Sequence, residues 1–143
     1  MSFASGLRIL SKNASFAGRR AFHASSSRMV QFLDATPEVL YITHSSTTSD
    51  EKVVLVDFYA DWCGPCRMIS PVLKRLSDDP NVKSGSGKAI DLVTVDTDKH
   101  PDLAQEYSVS SLPTVIAFKD GKPASQFIGA MPEGSIRNFL STL

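Results

Sequence analysis

The chain has 143 residues, 42% of them hydrophobic and 21% charged, which is the balance of one globular domain with room for a sizeable core. Two cysteines are too few for a disulfide-stapled mini-protein or a four-cysteine zinc site, and no apolar run approaches the roughly 18 residues of a membrane span. A formal net charge of zero excludes a basic nucleic-acid binder unless the charge is unevenly placed.

It is unevenly placed. Residues 1–29 hold Arg8, Lys12, Arg19, Arg20 and Arg28 and no acid, whereas residues 30–143 hold 10 basic and 15 acidic side chains. At the helical period of about 100° per residue, Phe3, Leu7, Leu10, Ala14, Ala17 and Ala21 share one side. Arg8, Lys12 and Arg19 fall on the other. A basic, acid-free amphipathic helix rich in serine is the pattern of a mitochondrial transit peptide. Arg8 interrupts the apolar core that a secretory signal would need. The plainer readings of such a segment are a disordered basic tail or a helix lying on an anionic surface. The stretch Arg20-Ala21-Phe22-His23-Ala24-Ser25 resembles a two-step mitochondrial cleavage pattern, with an octapeptide at 22–29 and a mature start at Val30. The expected division is therefore 1–29 as transit peptide and 30–143 as the working domain in the mitochondrial matrix.

Residues 30–33 read as a short strand, and Thr36-Pro37-Glu38 as a helix start with Thr at the cap and Pro at the first position. Residues 53–59 form a continuous β-branched and aromatic run, predicted to be a strand buried on both faces. Pro65 begins a helix with Met68, Ile69, Val72, Leu73 and Leu76 expected on one side and a kink at Pro71. Residues 78–88 read as a loop made flexible by Gly85 and Gly87. A strand at 90–95, a helix at 102–107 and strands at 114–118 and 125–128 follow, with a last helix at 132–143. Lys119-Asp120-Gly121-Lys122 is a hairpin turn signal. The order βαβαβαββα predicts an α/β fold of three layers: parallel strands through the crossovers, then an antiparallel pair at the Asp120-Gly121 turn.

Trp62-Cys63-Gly64-Pro65-Cys66 lies where the 53–59 strand gives way to its helix. Cysteines three apart in a first helical turn have Cα atoms about 5–6 Å apart, within disulfide range. Cys63 at the helix N-terminus faces unpaired N–H groups and the positive end of the dipole, which favour a thiolate. Pro65 is free of cost there, since its missing N–H would be unpaired anyway. Zinc would need two further ligands, and neither His44 nor His100 stands in a metal-binding spacing, so no metal site is expected. Nor does any motif place a histidine to activate a cysteine hydrolase.

The stretch Val56-Asp57-Phe58-Tyr59-Ala60-Asp61-Trp62-Cys63-Gly64-Pro65-Cys66-Arg67 resembles the active-site segment of the thioredoxin family. The resemblance runs from about Val30 to Leu143 and includes Leu112-Pro113-Thr114, Gly121 and Gly129. It implies a mixed five-stranded sheet of order 1-3-2-4-5 with about four helices and a cis-proline at Pro113 facing the cysteines. It implies Cys63 as nucleophile, Cys66 as resolving thiol, and Leu112, Pro113, Gly129 and Ala130 as binders of extended substrate backbone. The implied activity is protein disulfide reduction through a Cys63–Cys66 redox disulfide, with no bound cofactor. The implied partners are protein disulfides, peroxiredoxin-like clients among them, and an NADPH-dependent reductase; nothing in this chain resembles a dinucleotide-binding motif. A monomer without nucleic-acid or membrane partners is expected.

Supporting residues can be weighed on their own chemistry. Asp57 interrupts an apolar strand; buried without a charge partner, its pKa should rise, fitting it to exchange a proton with Cys66. Trp62, the sole tryptophan, is expected at an exposed docking surface. Arg67 is expected to add positive potential, and Asp96 and Asp98 to lie in a solvated loop rather than at a metal. Three departures from the family stand out: Tyr59 replaces a usual Trp, Leu92 is the expected match for a Lys that some members place near the buried Asp, and the 78–88 loop with Ser84-Gly85-Ser86-Gly87 is longer than usual. A disulfide oxidase or isomerase of the same fold, and a non-catalytic binding subunit, remain as alternatives.

Overall fold

The computed structural model describes residues 52–143. The expected strand at 30–33, the helix starting at Thr36 and the basic segment 1–29 lie outside the described residues. In chain order the elements are β1 (Lys52–Tyr59), α1 (Gly64–Asp78), β2 (Ala89–Asp96), α2 (Pro101–Glu106), β3 (Thr114–Lys119), β4 (Lys122–Ile128) and α3 (Glu133–Ser141). Four strands and three helices are thus seen among the described residues. The sheet order is β2-β1-β3-β4, which is the expected 1-3-2-4-5 order without its first strand.

Alternation along β1 decides what meets what. Val53 and Leu55 join Ile69, Leu73 and Leu76 of α1 and Ile136 and Leu140 of α3 in one core. Val54, Val56 and Phe58 join Leu103 of α2 in a second core on the opposite face, where the Tyr107 ring packs between Phe58 (tilted) and Phe118 (edge-on). The sheet is covered on both sides, and the run from Val53 to Phe58 is buried throughout, as its composition predicts. Asp57 shares its face with Val53 and Leu55, so the alternation aims it at α1.

Three expectations need correction. β1 and β2 are parallel, but β3 runs antiparallel to β1. The six-residue α2 rises only about 9 Å, far short of the roughly 27 Å needed to return along an eight-residue strand. The chain therefore enters β3 from the end at which it left β2, with Thr114 opposite Phe58. Met68 is not on the buried side of α1 but 73% exposed. It lies about 100° around the helix from Ile69, away from the face of Cys66, Ile69, Leu73 and Leu76. Finally, the segment after α1 is held rather than loose. Ser84 N–H donates to Lys88 O (2.9 Å), Gly85 N–H to Leu140 O (2.9 Å) and Ser86 N–H to Leu143 O (2.8 Å). α1 itself runs unbroken through Pro71, which leaves the Arg67 carbonyl without its usual donor.

The Asp120-Gly121 turn forms as predicted, with φ of 52° and 74°, the paired positive values of a type I′ hairpin. β4 begins three residues earlier than expected, at Lys122, and pairs with β3 through a register shift at Ala117/Phe118. No described helix is long and apolar enough to cross a membrane.

Candidate active site

Strand β1 ends at Tyr59, and the chain turns through Ala60–Trp62 into α1, with Cys63 N–H donating to Ala60 O at 3.0 Å. Cys63 is the N-cap of α1, and its sulfur accepts the Cys66 N–H at 3.2 Å. Cys63 and Cys66 are joined in a disulfide, with Cα atoms 5.3 Å apart, within the separation expected of a first helical turn. Both are buried, and with Ala60 they pack against Leu112 and Tyr59. The difference between the two cysteines is therefore one of position: Cys63 caps the helix, and Cys66 lies within it. An anionic sulfur at Cys63 would keep the Cys66 N–H and the dipole end as its stabilisers.

Gly64 and Pro65 occupy the first two helical positions. Trp62 is 68% exposed, its indole N–H donating to Asp98 Oδ2 at 3.0 Å. Contrary to expectation, Asp96 does not lie in a solvated loop: it is the last residue of β2 and is buried, and of the two aspartates only Asp98, beyond it, is exposed. Buried Asp96 accepts the Asp98 N–H (3.1 Å) and faces Lys99 (3.6 Å). Among the described residues no group of three or more His, Cys, Asp or Glu side chains is arranged to hold a metal ion. Arg67 spends its guanidinium on the Asp61 carbonyl (Nη2 2.6 Å, Nε 3.2 Å), bracing the turn that carries the cysteines.

Leu112–Pro113 is cis, and Pro113 is buried. Leu112 touches the cysteine cluster, and Gly129 N–H donates to Pro113 O at 2.8 Å, so the ends of β3 and β4 meet beside the disulfide. Gly129 adopts a φ of 87°, a conformation suited to glycine. Ala130 follows, exposed.

Asp57 is fully buried beneath α1. Its Oδ2 accepts the Ser70 hydroxyl at 2.8 Å, while Oδ1, also buried, has no hydrogen-bond partner among the described residues. Burial pushes its pKa up to about 6, and the Ser70 hydrogen bond pulls the other way without cancelling it. The expected match of Leu92 to a lysine near Asp57 is corrected by the ladder. Leu92 pairs with Leu55, and the residue opposite Asp57 is Thr94. A neutral side chain stands there in either case.

Ser70, Thr94 and Lys74 were not singled out by the sequence, yet they line a cavity of about 490 Å³ together with Tyr59, Leu92 and Cys66. The one sequence signal for Ser70 is its spacing, four residues after Cys66 and hence on the same helical face.

A disulfide at a crossover-helix N-terminus, with a buried carboxyl below, is the working part of a thiol–disulfide oxidoreductase. The Thioredoxin family profile matches residues 40–142. A Staphylococcus epidermidis thioredoxin is 41% identical over 104 residues, 71% of this chain and 94% of that protein. Among solved structures, a mutant thioredoxin from Halobacterium salinarum superposes with a TM-score of 0.60 at 31% identity, over 76% of this chain and 85% of that one. The oxidised mitochondrial thioredoxin 3 of Saccharomyces cerevisiae gives 0.54 at 31% identity, over 66% of this chain and 83% of that one. The chain belongs to the thioredoxin family. It is a dithiol disulfide reductase whose redox group, the Cys63–Cys66 pair, is part of the protein and needs no added cofactor. Thioredoxins act on protein disulfides and are themselves reduced by a thioredoxin reductase.

Proposed function

We propose that the chain is a mitochondrial dithiol carrier in which Cys63 attacks and Cys66 resolves. The observation that carries the division of roles is the cap: the Cys63 sulfur accepts the Cys66 N–H at 3.2 Å. In the first step the Cys63 thiolate bonds to one sulfur of a client disulfide, and the electron pair of that disulfide leaves on the other sulfur. In the second, Cys66 passes its proton to the Asp57 carboxylate, and its thiolate bonds to the Cys63 sulfur. The second client sulfur departs with the electron pair and takes up the proton. The client gains two electrons and one proton from the carrier, its first-released thiolate is protonated by solvent water, and the carrier ends as the disulfide seen here. Leu112, Pro113, Gly129 and Ala130 hold the client backbone, and exposed Trp62 meets its surface.

Cys66→Ser should accumulate mixed disulfides with client proteins on a non-reducing gel, released by dithiothreitol. Cys63→Ser should form almost none, and alkylation of the reduced protein at mildly acidic pH should label Cys63 first. Equal trapping by both variants would reverse or abolish the assignment.

The mitochondrial reading rests on the basic, acid-free residues 1–29 and their resemblance to a cleavable leader. The supply of electrons from an NADPH-dependent reductase, peroxiredoxin-like clients, a monomeric state, and a fifth strand from residues 30–33 beside β2 follow from family resemblance. Deletion of 1–29 should prevent import while leaving disulfide reduction intact in the test tube. The native protein should begin at Val30; a native N-terminus at Met1 would refute the leader.

A further inference from the structure

The buried carboxyl of this chain has an unusual set of neighbours. β2 offers it Thr94 across the ladder, with Leu92 two residues before, and neither carries a charge. β3 offers Val115. On α1 the titratable group on the facing side is the Cys66 thiol. Arg67, Lys74, Tyr59 and Asp61 border the adjoining cavity, with the Arg67 guanidinium engaged by the Asp61 carbonyl. Asp57 forms no ion pair among the described residues. What touches it is a hydroxyl: Ser70 Oγ, 2.8 Å from Oδ2.

Ser70 and Cys66 are one helical turn apart, and both open on the same cavity. The two carboxyl oxygens are thereby made unequal. Oδ2 is occupied, and Oδ1, though buried, has no hydrogen-bond partner among the described residues, an arrangement that calls for a functional reason.

We propose that Ser70 is the positioning residue of the Asp57 base. Its hydroxyl fixes Oδ2, presents Oδ1 to the Cys66 proton, and stabilises the carboxylate where a cation is missing. The proton moves from the Cys66 sulfur to Oδ1, leaving a thiolate and a neutral carboxyl, and no electrons change hands in that step. Ser70 donates its hydrogen bond throughout and exchanges no proton itself. The proposal rests on Asp57 acting as base during resolution.

The test uses the full chain with ¹³C-labelled aspartate, comparing the parent with Ser70→Ala, Ser70→Thr, Asp57→Asn and the Ser70→Ala/Asp57→Asn double variant. The carboxyl titration of Asp57 should move up by about one unit in Ser70→Ala, the size expected for losing one hydrogen bond to a charged group, and should return in Ser70→Thr. Single-turnover decay of a preformed mixed disulfide should show the same shift in its acid limb, up to about tenfold slower resolution below the midpoint. In the Asp57→Asn background Ser70→Ala should add nothing. An unmoved carboxyl titration in Ser70→Ala, or a shift that Ser70→Thr does not restore, overturns the role of Ser70 and leaves Asp57 as base. A moved titration with decay profiles that neither Ser70→Ala nor Asp57→Asn alters overturns the base reading, and the proposal falls with it.

Discussion

The two ends of α1 are built on opposite terms. At the N-terminal end, the disulfide has an exposed Trp62 beside it and a buried carboxyl below it, and a β-carbon added at Gly64 would meet nothing within 4 Å. Beyond the C-terminal end, the chain folds back against the last turn of α3. A β-carbon at Gly85 would lie 2.0 Å from Ser141 O and 2.8 Å from its carbonyl carbon. The first end leaves space, and a carboxyl oxygen without a hydrogen-bond partner among the described residues, where reaction needs them. The second has backbone packed on backbone, with the Ser84 hydroxyl accepting the Lys88 N–H at 3.1 Å. Reactivity is thus concentrated at one terminus of a helix whose far end is closed tightly enough to hold it in place.

Substitutions at the two ends should consequently change stability with opposite sign. The largest effect is expected at Asp57. Its folded pKa of about 6 stands above the ordinary 3.8, so between those values the unfolded chain gives up a proton that the folded chain keeps. Stability then falls as pH rises through that window, by about 3 kcal/mol from linkage, and stays level above it. Asp57→Asn should lack the fall and be the more stable protein at pH 7, as urea titrations at pH 4 and pH 7 would reveal. Identical pH dependence in parent and variant would mean that the carboxyl is solvated.

Gly85→Ala should act in the reverse direction, since the atom it meets is backbone rather than a flexible side-chain tip. A loss of about 1–3 kcal/mol is expected, with faster amide exchange in the last turn of α3. If Gly85→Ala melts with the parent, the contact between the loop and α3 is not holding that end. The smallest effects belong to the open end. Gly64→Ala should change stability by less than about 0.5 kcal/mol, because the site is empty and its backbone ordinary. Trp62→Phe, which loses only the exposed hydrogen bond to Asp98, should cost less than about 1 kcal/mol. A larger loss from either would show the open end to be as tightly packed as the closed one.

This contrast also separates what the sequence discloses from what it hides. The Cys63-Gly64-Pro65-Cys66 pair is legible because a helix start is local, and Asp57 because a single acid interrupts a buried strand. Ser70 is hidden because nothing local marks its partner; the alternation of β1 and the rotation of α1 must both be known. Thr94 is hidden because the register of a parallel ladder, rather than a count along the chain, puts it opposite Asp57. The fastening of Gly85 depends on residues more than fifty positions away. The reversal of β3 depends on how far α2 carries the chain, which connection length alone leaves open.

β4 has a consequence for how these molecules meet one another. Among the described residues it is an outermost strand, the kind of free margin on which chains can stack into fibrils. Its first half answers that hazard. Pro123 has no N–H to give, Lys122 brings charge, and the irregular pairing at Ala117/Phe118 breaks the regular spacing a second strand would have to match. A neighbour approaching edge to edge meets repulsion and a missing donor, so the hairpin that carries Gly129 to the disulfide is poorly suited to seeding aggregation.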